Sequence, residues 1–467
     1  MFNNKKLLFV ILLAVSVATH FAFFGHPNQT VFDEVHFGKF VSGYLAGEYF
    51  FDIHPPLGKL LFTGVAHLGG FSPEFAFDTI GSAFPNWHYM VLRFLPILAG
   101  ALLPLVLFGI ALYLGFSPVV AFLVGTLTAL DGALIIQSRF ILLDAFLLLF
   151  GFLSIFFYLR FKKTAEENAP HFYNLWLAGA FGALSGSIKW TGFGFLALVL
   201  VMELFRLWPN FNLFKFWKNH HRHRLAFVLS LIVAPFLIYL AIFAIHFHLL
   251  PKTGPGDAFM SASFQKTLEG SRYQSDPAVE TEGFLKKFTE LNLQMYSANQ
   301  RLTATHPYGS AWYTWPLMSR PIYYWNKAEP MDNNEPQERK IYLMGNVVVW
   351  WASTIAILTL ALSFLSQTWK RKNSPWVVHL ILGAYFLNLL PFMGVQRVMF
   401  LYHYFPALIF AIFSLGYLID HKPNTKTVSL VLIGLAAIIF LTFSPLVYGL
   451  SQTVKESDKL FWFPSWR

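Results

Sequence analysis

An acidic pair, Asp33-Glu34, shares the short segment Val31–Pro56 with a His54-Pro55-Pro56 tripeptide. The pair follows the first long apolar stretch, Leu7–Phe24. Two adjacent carboxylates at a membrane edge are costly unless they are solvated or used. One carboxylate beside a hydroxyl serves as a general base, and a second orients the substrate or tunes the first. A solvated turn is the plain alternative for an isolated Asp-Glu dipeptide. Other chemically able residues follow: Arg139, Asp144, Lys189, His306, Tyr308, Trp312, Arg397 and the Tyr402-His403-Tyr404 run.

The elements that must position these residues are membrane spans. The chain has 467 residues, 56% of them apolar and only 12% charged. Its mean hydropathy is +0.52. Soluble domains carry about 25% charged residues. Eleven apolar runs read as spans, near 6–24, 88–114, 118–136, 140–160, 172–188, 190–207, 224–249, 344–366, 376–394, 398–419 and 427–449. The fold class is therefore an all-α, multi-pass membrane protein. The first run lacks a small-x-small cleavage site, which points to an uncleaved span.

Basic residues give the orientation. With Lys5 and Lys6 inside, the inner loops carry Arg160, Lys162 and Lys163; then Arg206, Lys215, Lys218, Arg222 and Arg224; then Lys370–Lys372; then Lys422 and Lys426. The net charge of +10 follows from these loops and gives no reason to invoke nucleic acid. The tail after Gly449 then faces out. The chain divides into a catalytic half, 1–249, with a first external loop at 25–87; a long external loop, 250–343; and a second membrane half, 344–467. Stretches Val35–Phe51 and Gly58–Leu68 have the spacing of interfacial helices.

This topology brings Asp33, Glu34, Arg139, Lys189, His306, Arg397 and His403 to one outer face. Outward turns are normally poor in cations. Arg139, Lys189 and Arg397 are therefore either snorkelling anchors or ligands of an anion such as a lipid-linked phosphate. Asp144 is placed to neutralise Arg139. Tyr402, His403 and Tyr404 suit either an aromatic belt or a site. His54, His306 and His403 are too scattered for a metal site, and the chain has no cysteine. No HExxH, P-loop or Rossmann pattern is present, which argues against a soluble nucleotide donor.

In order along the chain, the segments VFDEVHFGKF (31–40), FDIHPPLGKLL (51–61), SRFILLDAFLL (138–148), GSIKWTGF (186–193), GDAFMSASFQ (256–265), HPYGSAWYTWPLMSRPIYY (306–324), IYLMGNVVVWW (341–351) and QRVMFLYHYFPAL (396–408) resemble the protein O-mannosyltransferases, membrane glycosyltransferases of the GT-C type. The resemblance implies transfer of mannose from a polyprenyl-phosphate donor to a Ser or Thr hydroxyl of a secreted protein. It implies inversion at the sugar carbon, with no cofactor and no essential metal. It assigns Asp33 as base, Glu34 as its acidic partner and Arg139 to the donor phosphate. Less directly, it places His54, Lys189, Arg397 and His403 with the donor, and His306, Tyr308 and Trp312 on the acceptor side. Eukaryotic members insert a β-trefoil domain where this chain has only 250–343. That difference implies a compact bacterial form in a plasma membrane, with its site outside. A related enzyme moving another lipid-linked sugar is the nearest alternative. A transporter would show inverted repeats and broken midplane helices, and neither is visible.

Overall fold

The computed structural model describes residues 4–207, 221–301, 305–332 and 335–467. The expected inner-loop cations Lys215 and Lys218 lie outside the described residues. The chain is mostly helical. The N-terminal half contains α1 (Lys5–Phe21), α2 (Glu34–Ala46), α3 (Leu57–Leu68), α4 (Tyr89–Tyr113), α5 (Pro118–Ala129), α6 (Gly132–Arg139), α7 (Asp144–Glu166), α8 (Phe172–Ile188) and α9 (Phe193–Leu207). Helices His223–Leu249, Val347–Trp369, Trp376–Gly394, Leu401–Asp420 and Thr425–Tyr448 complete the membrane part. This is an integral, multi-pass membrane protein.

Among the described residues, eight helices are long and apolar enough to cross a membrane, or nine if the bent pair α5–α6 is one span. Helices α1 and α8 occupy two further expected spans but have only 17 residues each. Among the described residues, eleven full-length spans are therefore not reached. The run 118–136 is not one helix either: α5 and α6 meet at 56°. The cause is Asp131. A carboxylate amid apolar residues must be satisfied, and Asp131 accepts from Leu134 N–H (3.0 Å), Asn346 N–H (2.9 Å) and Trp350 Nε1 (2.8 Å). It caps α6 and ties the break to the helix Val347–Trp369.

The basic ends of the spans meet at one end of the bundle. There Ser117 N–H donates to Asp420 at 3.2 Å, Lys162 lies 3.8 Å over the Trp376 ring, and Arg206 pairs with Glu203 at 2.5 Å. At the opposite end lie the loop 25–87, with α2 and α3 where interfacial helices were predicted, and the segment 250–343. That segment departs from an all-helical plan. It holds the helix Phe284–Arg301 and a hairpin, β1 (Ile322–Asp332) with β2 (Glu335–Leu343), which pairs with β3 (Gln452–Thr453) near the C-terminus. A buried apolar cluster, including Tyr44, Phe50, Phe243, Phe264 and Met295, packs α2, the span 223–249 and the 284–301 helix together.

Candidate active site

The two acids of the 33–34 pair have different surroundings. Asp33 precedes α2, and its side chain makes no capping bond to it. Glu34 starts α2 and is fully buried. It accepts from Arg93 Nε (2.8 Å) and Nη2 (2.6 Å), from Val31 N–H (2.9 Å) and from Ile141 N–H (3.0 Å). Arg93 also donates to the carbonyls of Gly25 (3.2 Å), Pro27 (2.6 Å) and Gln29 (2.8 Å). Glu34 thus anchors the loop to α4 and has no acceptor capacity left for a substrate. Of the roles open to it as the acidic partner of Asp33, direct contact with the substrate is the one this bonding leaves no room for. Arg93 escaped the sequence reading, although a lone cation within the apolar run 89–113 was the visible signal.

Asp33 is half-buried. Burial is the main force on its carboxyl and raises it to about 6; His36 and Lys189 oppose the rise, and Asp144 and Asp52 add to it. Two of these groups, Lys189 and Asp144, line a cavity of about 400 Å³ together with His54, Asn388, Gln396, Arg397, Tyr402 and His403, with an apolar side from Leu147, Leu148, Leu387 and Phe392; Asp33 itself is not in the lining but is close enough to feel both. Four of the expected donor residues, His54, Lys189, Arg397 and His403, therefore share one wall.

Each is held differently. Lys189 ends α8 and reaches Asp144 at 2.8 and 2.9 Å, with the Tyr402 ring 5.1 Å away. Asp144 therefore neutralises Lys189, not Arg139 as its sequence position suggested. His54 sits in a loop pinned from below by the buried Lys59, which pairs with Asp52 and donates to the carbonyls of His54 (2.8 Å) and Pro55 (3.2 Å). Burial, then Lys189, Lys59, Arg397 and His403, pushes the His54 imidazole well below its usual range, so it is neutral at pH 7. His403 engages the Phe400 backbone through Nδ1, stacks on the buried Trp315 and lines the cavity. Arg397 is half-buried and has no carboxylate partner among the described residues. Burial lowers its pKa, and Tyr402 and Asp52 counter that.

Arg139 is not part of this wall. Its Nη1 donates to the carbonyls of His20 (3.3 Å) and Ala22, and its Nη2 to Phe23 (2.9 Å) and His26 (3.5 Å). The guanidinium lies 4.8 Å over Tyr448. His20 lies in the last turn of α1, whose carbonyls lack a helical partner, and Ala22, Phe23 and His26 follow it, so the Arg139 guanidinium ties together the end of α1 and the start of the loop after it, where it was expected at the donor phosphate. Arg139→Lys should cost about 1.5–3 kcal/mol of stability through lost charged hydrogen bonds, read as a lower thermal midpoint, with donor KM unchanged. A raised donor KM at unchanged midpoint would return Arg139 to the donor site.

The expected acceptor-side residues lie off the cavity. His306 is exposed and edge-on to Phe400 at 5.1 Å; Tyr308 stacks on Tyr323; Trp312 packs on Tyr313. The cavity's third side comes instead from Tyr296, Asn299 and Gln300 of the 284–301 helix. Among the described residues no group of three or more His, Asp or Glu is gathered to hold a metal ion.

A family model described as dolichyl-phosphate-mannose-protein mannosyltransferase matches residues 10–251, and one described as the C-terminal four TMM region of protein-O-mannosyltransferase matches 284–466. The chain belongs to this family. Dolichyl-phosphate-mannose–protein mannosyltransferase 1 of Saccharomyces cerevisiae is 24% identical over 690 residues, covering 99% of this chain and 83% of the relative. That alignment is longer than the chain, so the relative carries inserted length. Mannosyltransferase 4 of the same yeast is 32% identical over 328 residues, 64% of this chain and 42% of the relative. The S. cerevisiae protein O-mannosyltransferase Pmt1-Pmt2 complex bound to the sugar donor superposes with a TM-score of 0.89 at 23% identity, covering 99% of this chain and 92% of that one. The fold is thus the GT-C fold of the protein O-mannosyltransferase family.

Proposed function

We infer that this chain transfers mannose from a polyprenyl-phosphate donor to Ser or Thr hydroxyls of secreted proteins, at the outer face of a bacterial plasma membrane. The observation that carries this reading is the cationic cavity beside Asp33, in which Arg397 lacks an acid partner among the described residues. A sugar phosphate supplies the missing negative charge, and the apolar wall accommodates the start of an isoprenoid tail.

In the proposed reaction Asp33 takes the hydroxyl proton as the acceptor oxygen attacks the anomeric carbon. The bond from that carbon to the phosphate oxygen breaks, and its electron pair leaves with the polyprenyl phosphate. Single displacement inverts the carbon. The charge that grows on the leaving phosphate is met by Arg397 and Lys189, with His403 and neutral His54 as further hydrogen-bonding groups. Preorganised cations of this kind supply the stabilisation that a metal gives elsewhere, so the transfer is proposed to need none. The segment 250–343 frames the acceptor.

Arg397 tests the donor assignment. Arg397→Ala should raise donor KM roughly 10- to 150-fold, as expected for a lost charged hydrogen bond. Arg397→Lys should recover only part, because the planar fork is gone. Donor KM within twofold of wild type in both variants would remove Arg397 from the phosphate site.

A further inference from the structure

Tyr324 is fully buried in β1 and touches both halves of the site. On one side its hydroxyl donates to Gln137 Oε1. Gln137 Nε2 donates to Asp144 Oδ2 at 2.6 Å, and Asp144 holds Lys189. A continuous hydrogen-bonded chain thus runs from the hairpin to the cation of the cavity. On the other side the Tyr324 ring stacks on Phe32, with centroids 4.1 Å apart and planes 9° apart, while its carbonyl accepts from Phe32 N–H at 3.1 Å. Phe32 has φ of +46°, a left-handed conformation that an aromatic residue adopts only when its surroundings enforce it. Asp33 is the next residue.

We propose that Tyr324 is a positioning residue that sets Asp33 through Phe32 and Lys189 through Gln137 and Asp144. The β1–β2 hairpin and the two reacting sides of the cavity are thereby one mechanical unit. The inference rests on the roles given above to Asp33 and Lys189.

The two arms separate by mutation. Tyr324→Phe keeps the ring on Phe32 and loses only the hydroxyl. Donor KM should rise roughly three- to tenfold, the size of one lost hydrogen bond, with kcat within about twofold. Gln137→Leu should give the same defect, and the double variant should add little to either, because both cut one chain. Tyr324→Leu also removes the stack. It should lower kcat further and move the pH midpoint of kcat/KM for the acceptor. That midpoint reports Asp33, which is faced by His36 on α2, Lys189 just after α8, Asp144 at the start of α7, Asp52 before α3, and Tyr402 and Tyr324 across the site.

The experiment is this double-mutant cycle, run with polyprenyl-phosphate mannose and a Ser/Thr peptide on the full-length protein. Unchanged donor KM in Tyr324→Phe, or defects that simply add with Gln137→Leu, would overturn the positioning role while wild-type transfer leaves the function standing. A wild type that transfers no mannose would overturn the function, and the positioning role with it.

Discussion

Asp33→Asn is expected to lower kcat by about 10²–10⁴-fold, the usual contribution of general-base catalysis, while donor KM changes little. Asn keeps the shape and the start of α2, so the fold should survive. The pH profile adds a second check. The base works only when ionised, and burial raises the Asp33 carboxyl to about 6. For wild type, kcat/KM for the acceptor should therefore fall as pH drops through about 6 and level off above about 7. The residual rate of Asp33→Asn should lose that acidic limb. A near-normal kcat in Asp33→Asn, or an acidic limb that survives in it, would show that another group takes the proton.

Arg93→Met should be the largest stability loss. It strands Glu34, which is fully buried, and breaking one side of a buried ion pair costs about 3–5 kcal/mol. Adding Glu34→Gln should recover part of that loss. Recovery stays incomplete because Arg93 also satisfies the carbonyls of Gly25, Pro27 and Gln29. Thermal unfolding of the purified variants in detergent reads both effects. A single Arg93→Met variant as stable as wild type would mean that the loop 25–31 is anchored some other way.

Most helices were legible in the sequence because apolar length is a local property. The bend at Asp131 was not: its partners Asn346 and Trp350 lie more than two hundred positions along the chain. The same blindness misplaced Arg139. Charge bias singled out this cation, but its partners are backbone carbonyls at and just after the end of α1, which no side-chain pattern announces. Lys189 and Arg397 stood out by the same bias and do share the cavity wall. Asp144 lies close to Arg139 along the chain, yet it pairs with Lys189 because the start of α7 packs beside the end of α8. The hairpin 322–343 was hidden among polar residues in a segment that reads as a loop. His306, Tyr308 and Trp312 belong to a motif whose cavity contact is Trp315, through His403.

In the proposed reaction Asp33, beside the cationic cavity, is the base for inverting transfer of mannose. Purified wild type and Asp33→Asn, incubated with polyprenyl-phosphate mannose of known anomeric configuration, a Ser/Thr-rich peptide and a metal chelator, test it directly. Mass spectrometry and NMR of the peptide should show one hexose on a hydroxyl, with the opposite anomeric configuration to the donor, formed by wild type and nearly absent with Asp33→Asn. A retained configuration, a requirement for metal, or equal product from both proteins would contradict it.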